Sequence, residues 1–462
     1  MRGDELTRHQ HPQVLPTLPT TFSTCHPTPG DAMKSVFEQG DSPLTVLRPL
    51  SAHEAMFSTM GVSATFWATT HLRGELNMSS LRQAWQLLTI AHPVLATRIV
   101  ADGVQLVLTS SPESPAAVEV LDKPLNDLSE LPALRFEDGT AVLKVFSQDQ
   151  SHTVLLGVDH SIADARLGAF YLFMLWHFYT QIVTEGTVPQ IIAAPIPDAP
   201  ETALEHRGIL KGALPQKDSF TSTIWGGKQG GEIDELADPP VTWHHRFDQK
   251  TTEGVRMAAK TFGVTMHGLI TGVIAIAERA QIGAELSDEV NMGFMSPVDF
   301  RGHLSPAAAI TDVSVGIGMA IGQTRVRAND DPVRIGRRIV EQIQNDLASG
   351  VIQQNTHHME SILLANSYGP LITVTNPGII LTPPTPSTLA IEDFRGQLTV
   401  SAISDERAPH SPAPSQASGY EVYTFNGQLN IHGRYPGGSF TPQQIAQLRE
   451  HILTQLNNFA KH

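Results

Sequence analysis

Residues 154–168 read VLLGVDHSIADARLG, and the run continues as AFYLFMLWHFY to Tyr179. An apolar strand, a short loop and a long apolar helix follow one another, the unit from which mixed α/β folds are built. Strand alternation puts His160 on the face of Val154, Leu156 and Val158 and turns Asp159 the other way. His160 is therefore expected to face an apolar interior or channel. An imidazole held neutral there can take a proton from a hydroxyl or an amine near neutral pH. Asp164, at the mouth of the helix, is expected to cap it or to meet a buried cation, because a carboxylate in apolar surroundings needs one or the other. The spacing alone also fits a plainer reading, a satisfied core histidine followed by a capping aspartate.

Working outward, Leu81, Ala84, Trp85, Leu87, Leu88 and Ile90 repeat with a helical period that Ser79 can cap and Pro93 stops. Asp102-Gly103 within Ile99 to Leu108 predicts a hairpin. Strands are expected over 140–146 and 153–160, and a helix over 165–182. From Val188 to about Pro240 prolines and glycine pairs accumulate and the periodicity fades, which marks a crossover. The second half restarts with a strand at 241–247 and helices at 251–262 and 266–279 parted by Gly263. Further strands are predicted at 314–321, 371–375, 398–403, 420–425 and 428–433, the last two joined by Asn426-Gly427. Thr441 and Pro442 open a terminal helix. The domains so drawn are an unpacked leader (1–40), a first subdomain (41–190), a linker (191–240) and a second subdomain (241–462).

Composition narrows the function. The 462 residues are 41% hydrophobic and 17% charged, with a net charge of −15, which describes a globular chain whose surface repels phosphate backbones and anionic lipids. Nucleic acid is excluded as a partner, and no apolar run reaches the length of a membrane span. The one cysteine, Cys25, forms no internal disulfide, and a reducing, cytoplasmic setting is expected. There is no P-loop, no G-x-S-x-G elbow and no histidine and cysteine cluster with metal-ligand spacing. His244-His245 and His357-His358 lack acidic companions and are expected to be solvated, and His92 is expected at the last carbonyls of its helix.

His160 to Asp164 matches HxxxD, and other stretches agree with it. LRGEL at 72–76 with AHPVLATR at 91–98, KTFGVTMHGLI at 260–270, PVDFR at 297–301 with LSP at 304–306, TNPG at 375–378 and YTFNG at 423–427 occur in matching order. Together they resemble the HxxxD acyltransferase superfamily of chloramphenicol acetyltransferase, the BAHD enzymes and condensation domains. Within it they are most similar to the polyketide-associated acyltransferases of the phthiocerol dimycocerosyl transferase type. The resemblance covers about 45–456. It departs from the frequent HHxxxDG form at Asp159 and Ala165, and the missing glycine raises the question of the turn after Asp164.

The resemblance implies an α/β fold of two sandwich subdomains with an active-site tunnel between them. It implies that His160 deprotonates an acceptor as it attacks a thioester, without an acyl-enzyme, and that Asp164 pairs with Arg301 from the second half in a structural role. Thr375 and Asn376 would lie near the tunnel as substrate-binding residues or serve simply as turn residues. No cofactor is implied; acyl-CoA or a phosphopantetheinyl carrier protein is the co-substrate, and a small-molecule alcohol is the acceptor of a monomeric enzyme. Amide formation, thioester hydrolysis and a non-catalytic docking module are the rival readings. An acyl carrier protein would need a local basic patch, for which Arg325, Arg327, Arg334, Arg337 and Arg338 are candidates.

Overall fold

The computed structural model describes residues 45–58, 62–103, 105–110, 118–125, 131, 134, 139–215, 222–223, 240–283, 288–359, 361–362, 371–402, 418–435 and 440–461. The first half comprises Thr45–Pro49 (β1), Ala52–Ala55 (α1), Val62–Gly74 (β2), Met78–Ala91 (α2), Thr97–Asp102 (β3), Gln105–Ser110 (β4), Glu119–Leu121 (β5), Ala141–Gln148 (β6), Ser151–Asp159 (β7) and Ala165–Glu185 (α3). Pro200–Glu205 (α4) lies in the crossover. The second half comprises Val241–Arg246 (β8), Gln249–Thr261 (α5), Met266–Gln281 (α6), Val290–Asp299 (β9), Ile317–Val326 (β10), Pro332–Ala348 (α7), Val351–His357 (α8), Leu371–Ile380 (β11), Leu389–Ala402 (β12), Gly419–Phe425 (β13), Gln428–Tyr435 (β14) and Pro442–Phe459 (α9). The leader expected over 1–40, with Cys25, lies outside the described residues, as does most of 216–239.

The mixed α/β architecture expected from the strand, loop and helix unit is present as two main sheets, each with its own apolar core. The first runs β12-β2-β7-β6-β5, and α2 and α3 bury Leu81, Trp85, Tyr171 and Trp176 in its core. The second runs β10-β9-β11-β13-β14-β8, and its core takes Ile270 and Ile274 of α6, Ile339 of α7 and Leu448 and Ile452 of α9. A small sheet, β1-β4-β3, stands apart. Helix caps come from the side chains of Asn77, Asp164, Asp248, Thr265, Asp331 and Thr441. The cap of α2 is thus Asn77 and not the expected Ser79. Helices α6 and α7 touch through their backbones: a Cβ on Gly336 would stand 1.9 Å from the carbonyl oxygen of Gly268, so only glycine fits there.

One boundary needs correction. Strand β12 belongs to the second half of the chain, yet it pairs antiparallel with β2 along its length, from Leu389↔Gly74 to Ala402↔Val62. Phe394 of β12 then packs with Tyr423 and Phe425 of β13 in the first core. A cut at residue 241 therefore leaves an edge strand of the first sheet on the wrong side. The strand predicted at 398–403 is only the end of β12, and the one predicted at 314–321 begins at Ile317.

Glu278 lies wholly inside the second core. Tyr420 donates to its carboxylate (2.5 Å), Tyr435 to the Tyr420 oxygen (3.1 Å) and the Trp243 indole to Tyr435 (3.2 Å). Burial pushes the Glu278 carboxyl up from 4.5 to about 7. The folded protein thus holds a proton that the unfolded chain releases above about pH 4.5, and stability is lost as pH rises from there through 7. Glu278→Gln should remove this slope and stabilise the protein at pH 8 by up to roughly 3 kcal/mol. Urea denaturation at pH 5 and pH 8 measures this, and a variant no more stable than its parent at pH 8 contradicts it.

Candidate active site

His160 follows the last residue of β7, and its backbone N–H donates to the Ala64 carbonyl at 2.8 Å. Nδ1 lies 2.9 Å from the Ala163 carbonyl oxygen. That oxygen can only accept, so Nδ1 carries the proton and Nε2 presents its lone pair. Phe57, just beyond α1, stacks on the imidazole at a centroid distance of 4.0 Å and 16° between planes. The Phe57 carbonyl accepts from Ala64 (3.1 Å), so one residue ties both rings. Burial pushes the His160 pKa below 6.5, partly offset by the charge of Asp164 and the Ala163 carbonyl. The result is a neutral base with a fixed tautomer. It keeps 8% of its surface exposed.

Asp164 does both things expected of a carboxylate at that place. Its Oδ1 accepts from the backbone N–H groups of Arg166 and Leu167, both at 3.0 Å. Its Oδ2 accepts from Arg301 Nη2 at 2.6 Å and from the Gly316 N–H at 2.9 Å. Both partners of this ion pair are buried, with side chains 2% and 3% exposed. Burial by itself raises the Asp164 pKa, but the Arg301 charge and the donated bonds outweigh it and hold the carboxyl below its ordinary range. Arg301 also donates to the Val313 carbonyl at 2.9 Å. A Cβ on Gly316 would stand 2.2 Å from the guanidinium carbon; glycine is what lets Arg301 lie flat there. Ala165 takes the first position of α3, and Asp164 keeps ordinary cap geometry (φ −79°, ψ 174°), so the missing glycine costs nothing at this turn.

A second pair crosses the same seam in the opposite sense, Arg166 of the first half with Asp299 of the second. Asp299 also accepts from the Arg301 backbone N–H at 3.0 Å. Asp159, at the altered motif position, is wholly buried and accepts from the Ser161 N–H at 2.8 Å, while Ser58 and Ser161 share a hydrogen bond of 2.7 Å. Burial raises its carboxyl to about 6.

Thr375 and Asn376 sit at a bulge of β11. Asn376 Oδ1 accepts from Gly378 N–H at 2.9 Å, a local turn bond. Thr375 stands opposite Glu421 in register. Glu421 is the more informative neighbour, because its charge bears on His160 and its Oε2 lies 3.1 Å from His432 Nδ1. The sequence reading missed Phe57, Asp299 and this pair, although the Asn426-Gly427 hairpin puts Glu421 opposite His432.

Other histidines differ from expectation. His244 binds Asn430 Oδ1 at 3.0 Å, and His357 and His358 hold the carbonyls of Ile209 and Gly212, each at 2.9 Å. They fasten structure and are not simply solvated. At His92 it is the backbone N–H, not the ring, that reaches a helix carbonyl (Leu88, 2.8 Å). Within the expected basic patch, Arg325 and Arg327 share Glu289, Arg334 pairs with Asp330, and Arg337 donates to the Phe262 carbonyl. Among the described residues no three His, Cys, Asp or Glu side chains group as a metal site.

Residues 238–434 match the family described as "Phthiocerol/phthiodiolone dimycocerosyl transferase C-terminus". The chain is 27% identical over 371 residues to a phthiocerol/phthiodiolone dimycocerosyl transferase of Mycobacterium leprae (strain TN), covering 76% of this chain and 86% of that protein. Its fold is that of polyketide synthase associated protein 5 from Mycobacterium tuberculosis (TM-score 0.73, 24% identity, 90% of this chain and 98% of that one). It is also that of TRI3 trichothecene 15-O-acetyltransferase from Fusarium sporotrichioides (TM-score 0.63, 13% identity, 94% and 99%). The two-lobed fold expected from the motifs is thereby established.

Asp164→Ala strands the buried Arg301 charge and should lower stability by about 3 to 5 kcal/mol, measured by urea denaturation. Gly316→Ala should act in the same direction without touching either charge. Parent-like stability of Asp164→Ala would refute the structural role of the pair.

Proposed function

We propose that this protein is an acyltransferase that moves an acyl group from a thioester to a hydroxyl, with His160 as general base. The observation that carries the reading is the imidazole itself: protonated at Nδ1, basic at Nε2, stacked on Phe57 and set where the two halves meet. The acceptor hydroxyl gives its proton to Nε2 while its oxygen attacks the thioester carbonyl. The tetrahedral adduct then collapses, the carbon–sulfur bond breaks, and the proton on Nε2 passes to the departing sulfur. Base catalysis of this kind contributes about 10² to 10⁴ in rate, and positioning supplies more.

Asp164 and Arg301 act behind the base. They fix the loop from His160 to Asp164 against the second half, so the Ala163 carbonyl that sets the tautomer stays in place. The relative from Mycobacterium leprae is named a phthiocerol/phthiodiolone dimycocerosyl transferase, which supports a lipid or polyketide alcohol as the acceptor class. Coenzyme A and a phosphopantetheinyl carrier present the same thioester, and either serves as donor; neither is a resident cofactor. No single helix among the described residues is long and apolar enough to cross a membrane.

Purified protein, incubated with acyl-CoA thioesters and a panel of alcohols and amines, should form ester and release thiol faster with alcohol than without it. His160→Ala should abolish product while keeping the parent's melting temperature. Because burial lowers the His160 pKa, the acid limb of kcat/KM should fall below pH 6.5 and the rate should stay level through neutrality. Thiol release that is indifferent to alcohol would identify a hydrolase, and product formation unchanged in His160→Ala would sink the reading altogether.

A further inference from the structure

Residues of β13 alternate about the second sheet. Tyr420 and Val422 point into the second core, so Glu421 and Tyr423 turn the other way, toward the first half. Tyr423 packs in the first core and donates to the Phe394 carbonyl of β12 at 3.0 Å. Glu421, on the same face, reaches the same strand: the Leu398 N–H donates to its Oε1 at 3.3 Å and His432 Nδ1 to its Oε2 at 3.1 Å. The register of the first sheet relates this place to the base. Leu398 pairs with Phe66 and Val400 with Ala64, whose carbonyl accepts from the His160 N–H. Two strand spacings, about 10 Å, therefore separate the edge of β12 from the backbone of His160.

Glu421 differs from Asp164 in its partners. The Arg301 guanidinium lies against Asp164 and offsets much of its field at the imidazole, whereas among the described residues no arginine or lysine pairs with Glu421; a peptide N–H and a ring N–H hold it. Nearby on β12, Asp393 and Arg395 pair with each other at 3.2 Å, and Arg246 of β8 meets Asp393 at 3.0 Å. The remaining ionisable side chains around His160 are His53 on α1, Asp164 and Arg301. The Glu421 charge favours the protonated ring, less strongly than that of Asp164. Protonation is what the reaction asks of this ring: once the acceptor proton reaches Nε2 the imidazole is a cation, and it stays one until the proton passes to the departing sulfur. A cation in buried surroundings needs a negative charge near it.

We propose that Glu421 is a positioning residue for the reaction: fixed by His432 and by the edge of β12, its carboxylate stabilises the imidazolium that His160 becomes when it takes the acceptor proton. The proposal rests on the transferase reading above and adds a residue to it. A unit charge about 10 Å away, in a medium of effective dielectric about 20, alters a protonation equilibrium by about tenfold, or one pH unit.

The titration midpoint of His160 is followed by NMR on protein labelled with ¹³C-histidine, the His160→Ala variant assigning the signal. Glu421→Gln should lower that midpoint by about one pH unit and carry the acid limb of kcat/KM down with it. It should also cut kcat by up to about tenfold with KM unchanged, because the lost interaction exists only once the ring is charged. Thr375, half-buried on β11, stands opposite Glu421; Thr375→Lys sets an ammonium against the same carboxylate and should lower the midpoint with the Glu421 hydrogen bonds intact. His432→Gln keeps a donor for Oε2 and should leave the midpoint at the parent's value. A midpoint unmoved in both Glu421→Gln and Thr375→Lys overturns the proposal. So does an equal shift in His432→Gln, which would trace the effect to packing and not to charge. The NMR readout needs no turnover, so the two claims separate: a midpoint that follows the Glu421 charge in a protein that forms no ester sustains the coupling and sinks the transferase reading, whereas turnover with an unmoved midpoint does the reverse.

Discussion

The setting of His160 depends on one buried ion pair. Asp164 closes the N-terminus of α3 with one oxygen and holds Arg301 of the second half with the other. Two charges removed from water are tolerable only when every remaining lone pair and proton is met, and here the backbone of both halves does most of that work: Arg166, Leu167 and Gly316 donate, and Val313 accepts. The pair is therefore a positional device. It makes the geometry of a loop in one half a function of a strand end in the other, and the imidazole is carried on that loop.

Much of this was legible in the sequence, for identifiable reasons. The α3 unit combined an apolar run with a capping residue at the right place, and period and cap agreed. The Asp-Gly and Asn-Gly turns declared their hairpins through positive φ, which Gly103, Asn426 and Gly427 adopt. The Asp164 and Arg301 pairing came from resemblance, since nothing in spacing alone relates residues so far apart. What escaped was of three kinds. Strand β2 is buried on both faces, with Phe66 and Ala68 on one side and Trp67 on the other, so alternation is lost. Strand β9 contains Pro297, a breaker in appearance. It is accommodated because pairing with β11 ends at Met295↔Thr373, leaving that side of the proline without a ladder to serve. Helix α7 opened with Asp331 and Pro332, a readable start, but its arginines drew attention as a surface patch instead.

The site was legible in its base and in its ion pair, and illegible in its walls. Phe57 and His53 come from a short segment before the first predicted helix, and no local signal distinguishes a stacked ring from any other apolar residue. Glu421 and His432 belong to a hairpin whose register was readable, but which face of that hairpin turns toward His160 is a property of the packed sheets.

Strand β12 carries a further consequence, for the modularity of the chain. A polypeptide ending within the crossover would contain nearly all of the first lobe, yet β2 would be left with its ladder of N–H and C=O groups bare from Val62 to Gly74. An unpaired flank of that length invites pairing with another copy. The two lobes are therefore not interchangeable cassettes: grafting either one onto a foreign mate would require the donor of β12 to travel with the strand's host. Such a chain must inherit its lobes together.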